Sequence, residues 1–226
     1  MKDENHLKRI EPDNPKHHFQ LGDMMNIVGD YEEAIGPLTK AIELDPEYTA
    51  AYGSRARAYY GLGQYDQAIT DCTKAIELDP NYVHAYGSRG SAYLAQSQFE
   101  LAIEDFTKGI TIYAKAIKMN PYYLTIIYDS RGCAYWALRQ YGQAIADFMK
   151  AIELNPRNAV AYKNRGFVYY EQEQYEPAIA DFTKAIELSP RCGQIYFWRG
   201  EVYKAMGNMD AAAADRQKAE ELSQNQ

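Results

Sequence analysis

The sequence predicts an all-α chain of repeated helix pairs, and three observations carry that prediction. One phrase recurs: TKAIELDP at 39–46 and 73–80, MKAIELNP at 149–156 and TKAIELSP at 183–190. The prolines that close it, Pro46, Pro80, Pro121, Pro156 and Pro190, stand 34, 41, 35 and 34 residues apart. Between them each segment, such as NYVHAYGSRGSAYLAQSQFELAIEDFTK, reads as two helices joined by a short turn. Self-similarity at a fixed period of roughly 20–50 residues marks stacked units, each burying a face that its neighbour cannot bury alone.

Six copies fit, beginning near Pro15, Thr49, Val83, Leu124, Ala159 and Gly193. A small residue recurs in one column of the first helices: Gly22, Ala56, Gly90, Gly132, Gly166 and Gly200. In five of the six copies the second helix carries two alanines two turns apart, as Ala34 and Ala41 in the first copy and Ala178 and Ala185 in the fifth; in the third they are Ala102 and Ala116. Small residues on facing helices let the axes approach. Tyrosines flank them in two columns, Tyr52, Tyr86, Tyr128, Tyr162 and Tyr196, then Tyr59, Tyr93, Tyr135, Tyr169 and Tyr203. The surplus of 21 Tyr over 7 Phe is therefore structural, each ring packing its body and keeping its hydroxyl near a polar partner. The prolines are expected to end each pair, because proline cannot continue a helix and restricts the residue before it.

The ordered recurrence of aromatic, small, Tyr, Ala, Phe, Ala and Pro at a 34-residue period resembles the tetratricopeptide repeat, over residues 15–226. That resemblance implies a right-handed α-solenoid of six repeats whose concave face is lined mainly by first helices. It also implies a protein-binding scaffold. The expected organisation is a polar tail at 1–14 and a solenoid at 15–226, in three-repeat blocks 15–121 and 122–226.

One column departs from the family's usual leucine. Arg55, Arg89, Arg131, Arg165 and Arg199 precede the small residue, and Asp71, Asp105, Asp147, Asp181 and Asp215 recur on the second helices. The first copy lacks both, with Leu21 and Pro37 in those places. Pairing within each copy leaves nothing over, whereas pairing across copies orphans Arg55 and Asp215. Intra-repeat ion pairs are therefore expected; an arginine ladder for an acidic ligand is the alternative.

The third copy is irregular. KGITIYAKAIKMNP at 108–121 carries seven extra residues, almost two helical turns, so Ile103, Phe106, Ile110, Tyr113 and Ile117 stay on one face. An extended second helix is expected from about Glu100 to Met119, with a bend at Gly109–Ile112 as the rival. Surplus apolar residues there, Ile110, Ile112, Tyr113, Ile126 and Ile127, either repack the junction or form a self-association patch. At the far end Ala213, Arg216 and Glu220 replace apolar residues of other copies, as a terminal cap requires. Gly36-Pro37 inside the first copy's second helix favours a kink.

If first helices line the concave face, their variable columns meet a ligand. Expected groove residues are Arg57, Tyr60, Leu94, Asp129, Cys133, Trp136, Lys163, Phe167 and Tyr170; aromatics and arginine are the usual anchors of binding hot spots. The structural alternative is that Tyr60, Trp136 and Tyr170 merely cover the turn beneath them. Ser54, Ser88, Ser130 and Asn164 form a weak version of the backbone-holding asparagine ladder of some tetratricopeptide proteins. The family's carboxylate clamp has no matching set, since Lys163 is followed by Phe167 and not Asn.

Catalysis finds no support. His17 and His18 adjoin rather than share a helix face, no nucleophile has its base, and no phosphate loop is present, so no metal, cofactor or enzyme activity is expected. A net charge of −7 argues against nucleic acid. No apolar run suits a membrane helix, MKDENHLKRI lacks the core of a signal peptide, and three scattered cysteines suit a reducing, cytoplasmic compartment. The sequence thus points to a non-enzymatic scaffold for a protein or peptide, with a homo-oligomeric module built on the third-repeat helix or the first repeat as the alternative.

Overall fold

The computed structural model describes residues 14–115 and 121–224. Among them are twelve helices in six antiparallel-neighbour pairs: α1 (Pro15–Val28) with α2 (Tyr31–Leu44), α3 (Thr49–Gly61) with α4 (Tyr65–Leu78), and α5 (Val83–Ala95) with α6 (Phe99–Lys115). Then follow α7 (Pro121–Ala137) with α8 (Tyr141–Leu154), α9 (Ala159–Glu171) with α10 (Tyr175–Leu188), and α11 (Gly193–Ala205) with α12 (Met209–Ser223). The chain forms an all-α helical-repeat fold, and it divides between Lys115 and Ala116 into two compact units, unit 1 and unit 2.

Small-against-large packing explains the columns. A Cβ on Gly90 would lie 2.8 Å from the Phe106 ring, on Gly132 2.7 Å from Phe148, and on Gly166 3.2 Å from Phe182. The second copy inverts the volumes: Ala56 stands in the small-residue column and the fully buried Cys72 in the Phe column. Cys72 is therefore a space-filling core residue, and burial pushes its thiol well above the ordinary range.

All five Arg–Asp pairs form within their copies. Arg55 donates to Asp71 through Nε at 2.7 Å and Nη2 at 2.8 Å, and Arg89–Asp105, Arg131–Asp147, Arg165–Asp181 and Arg199–Asp215 repeat that two-pronged geometry. The aspartates are buried. In four copies the guanidinium also stands within 6 Å of both ring centres of its flanking tyrosines, as Arg55 does between Tyr52 and Tyr59; Arg89 has Tyr86. The tyrosine surplus thus brackets half-buried cations. The remaining nitrogen ties copies together, Arg55 Nη1 donating to Thr39, Arg89 to Thr73 and Arg199 to Thr183 on the preceding second helix. These arginines are structural; an acidic ligand is not needed to occupy them.

The irregular copies differ from expectation in instructive ways. α6 runs unbroken from Phe99 through the buried Gly109 to Lys115, 17 residues against 14 for its siblings, so no helix break occurs at Gly109–Ile112. Ile117 and Met119 lie outside the described residues, as does the tail apart from Asn14, whose Oδ1 caps Lys16 N. Four of the repeat prolines precede a helix by three residues, but Pro121 is itself the first residue of α7. Where the α5–α6 pair ends lies outside the described residues; proline's fixed φ and missing N–H are tolerated in the first turn of a helix. α7 consequently has 17 residues where α3, α5, α9 and α11 have 13. Pro37 sits inside α2 without ending it. Ala213, Arg216 and Glu220 are exposed on α12, the last two 3.7 Å apart as an ion pair.

Candidate functional site

Within each unit the first helices of successive copies touch, α1 with α3, α3 with α5, α7 with α9, and α9 with α11. Among the described residues second helices meet only first helices. A stack in which one set of helices touches and the other does not curves toward the touching set, so each unit has an inner face made of first helices.

In unit 2 that face carries a continuous aromatic ridge. Trp136 on α7 meets Phe167 on α9 edge to face at 5.3 Å between ring centres. Phe167 meets Trp198 on α11 at 4.3 Å, and Tyr170 lies 6.4 Å from Phe167 and 6.3 Å from Trp198. Phe197, 40% exposed, adjoins Trp198 at 5.2 Å. Offset and edge-to-face rings like these gain from their quadrupoles while keeping part of each ring open. Trp136 Nε1 donates to Glu171 at 2.6 Å. Beside the ridge lies a polar cluster in which Asn164 Nδ2 reaches Asp129 Oδ1 at 3.3 Å and Cys133 Sγ at 3.5 Å. Burial pushes the Asp129 carboxyl up to about 6, against the pull of the Asn164 hydrogen bond and the Lys163 charge. Burial likewise pushes Cys133 up to about 12, so its thiol is a poor nucleophile at neutral pH.

The inner face of unit 1 is polar. Ser54 Oγ donates to Asp23 at 2.9 Å, Asn26 Nδ2 to the Ser54 carbonyl at 2.8 Å, and Arg57 Nη2 to the Asn26 carbonyl at 3.3 Å. Tyr60 is 40% exposed and lies 5.6 Å from Tyr65, while Leu94 and Ser88 are half-buried.

The structure therefore brings Asp129, Cys133, Trp136, Lys163, Phe167 and Tyr170 onto one face, and places Arg57, Tyr60 and Leu94 on another. Of the serine–asparagine column, Ser54 and Asn164 already donate to the preceding copy, and Ser130 is half-buried. Trp198 is the member the sequence reading missed. Continuing the column Ser54, Ser88, Ser130, Asn164 by one copy would have found it. The junction set separates: Ile126 is 46% exposed, Ile110 and Ile112 are half-buried, and Tyr113 and Ile127 are buried at 8% and 1%. Those last two are buried and offer no exposed surface to a partner. Among the described residues no group of three or more His, Cys, Asp and Glu is placed to hold a metal ion, and no helix is long and apolar enough to cross a membrane.

Family models described as tetratricopeptide repeat match residues 49–82, 159–192, 72–104 and 193–226, and one described as TPR repeat matches 132–173. No curated protein matches the sequence. Among solved structures, MamA is 26% identical with a TM-score of 0.66, over 75% of this chain and 95% of that one. A protein described as pilF of Pseudomonas aeruginosa is 18% identical with a TM-score of 0.77, over 94% and 97% of the two chains. YrrB, described as a TPR protein with an unusual peptide-binding site, is 23% identical with a TM-score of 0.64, over 82% and 91%. Helix pairs, columns and matches agree: the chain belongs to the tetratricopeptide repeat family.

Proposed function

We propose that the chain is a non-enzymatic protein-interaction scaffold that holds a peptide or protein segment on the inner face of unit 2. The aromatic ridge of Trp136, Phe167, Tyr170 and Trp198 carries this reading, since half-open aromatic clusters are the usual anchors of binding hot spots. Family membership supports the scaffold role, and the peptide site described for YrrB supports a peptide as the ligand class. The test compares proteins captured from a lysate by the wild type and by Trp136→Ala, Phe167→Ala and Lys163→Ala variants of matched helical content. Partners held equally well by all four proteins would defeat the assignment of the face.

Self-association is the competing reading, favoured by the extra first turn of α7, where Tyr122 is 61% and Ile126 46% exposed. Sedimentation of the wild type beside an Ile126→Asp variant decides it. Two folded monomers would end that reading.

A further inference from the structure

We infer that the partner segment is basic: an extended peptide that sets a lysine or arginine beside Asp129 and an aromatic or large apolar residue three positions away on the Trp136–Phe167 edge. This rests on the reading of the unit 2 face as a peptide site, and it adds the chemistry of the occupant.

Asp129, on a first helix, differs from the buried carboxylates of the second helices of unit 2. Asp147, Asp181 and Asp215 each take two charge-assisted hydrogen bonds from an arginine. Asp129 takes one neutral hydrogen bond, from Asn164 at 3.3 Å, and enters no ion pair among the described residues. A carboxylate partly withdrawn from water and short of donors is costly, and a cation brought to it recovers that cost. Lys163 adjoins Asn164 in sequence and its charge favours the ionised Asp129, but it does not come within ion-pair distance. Glu171 is held against the Trp136 indole, and Lys204 at 3.9 Å from Glu201 offsets its own carboxylate. Aromatic faces beside carboxylates attract ammonium and guanidinium groups.

The spacing follows from helix geometry. Asp129 and Trp136 are seven residues apart on α7, about 10 Å along its axis. A peptide in the extended polyproline II conformation advances about 3.1 Å per residue and returns to the same face every third residue, so three positions separate its cation from the side chain that reaches the ridge.

The experiment selects a random peptide library on the full chain, then measures selected peptides by tryptophan fluorescence. The chain has only 2 tryptophans, and Trp136 and Trp198 both lie in the ridge. Selected peptides should share a basic residue three positions from an aromatic or large apolar one. Replacing the basic residue by norleucine should weaken binding to the wild type by about tenfold or more, the worth of one charge-assisted hydrogen bond. On Asp129→Asn, which keeps the shape, the same replacement should change affinity less than about twofold. Selected peptides that are acidic or lack a common charge would overturn this inference and leave the peptide face standing. A library that yields no peptide able to shift the tryptophan fluorescence would overturn both.

Discussion

The Arg89–Asp105 pair offers the sharpest test of how these copies hold together. Arg89 Nε and Nη2 reach the two carboxylate oxygens at 2.7 and 2.8 Å, with side-chain exposures of 18% and 6%. Two unit charges about 4 Å apart attract by about 4 kcal/mol at an effective dielectric of 20, the value suited to groups at this depth. Arg89→Ala leaves Asp105 buried without its cation, and Asp105→Ala leaves the guanidinium with Thr73 at 3.0 Å and the Tyr86 ring. Each single change should cost about 3 kcal/mol, chiefly the penalty of an uncompensated buried charge. The Arg89→Ala, Asp105→Ala double variant should cost less than the two single changes together, giving a coupling of about 2–3 kcal/mol. Repeat arrays unfold in pieces, so the readout is hydrogen exchange at the amides of α5 and α6, which reports local stability. A coupling below about 0.5 kcal/mol, as for solvated surface pairs, would refute the argument.

Three further outcomes are expected. Ser97, Arg139 and Glu173 hold left-handed φ of 60°, 57° and 58° at turns where other copies use Gly29, Gly63 and Gly207; each replaced by glycine should raise the urea midpoint, worth about 0.5–1 kcal/mol. Gly90→Ala forces a Cβ to 2.8 Å from Phe106 and should cost about 1–3 kcal/mol in urea unfolding, and the same change should cost less when made in a Phe106→Cys background, the pairing the second copy already uses. Asp129 ionises near 6 in the folded chain and near the ordinary carboxylate value unfolded, so the native state binds the extra proton. Stability from this group is full at low pH and is lost as pH rises through about 6. Of the two-unit gap, the part crossed between pH 4.5 and 7.5 is worth about 2 kcal/mol, and Asp129→Asn should remove that much of the stability difference read from urea unfolding at those two pH values.

The sequence by itself determined the helix pairs, the small-residue columns and the five Arg–Asp bridges. Each of those depends on neighbours within one copy: a helical period, or a fixed step of 16 residues across one turn, as from Arg55 to Asp71. Only the tertiary structure decided which columns meet between copies. Asp23 with Ser54, Cys133 with Asn164 and Phe167 with Trp198 are all 31 residues apart, a separation that acquires meaning only when pairs stack at a particular offset. The same stacking turned a presumed serine–asparagine ladder into contacts between copies and made Trp198 the centre of the ridge. At the junction, Pro121 reads alike as a stop or a start, since proline is tolerated on either side of a helix boundary. In the structure it stands at the head of α7, a helix that sets Ile127 inside and Ile126 outside.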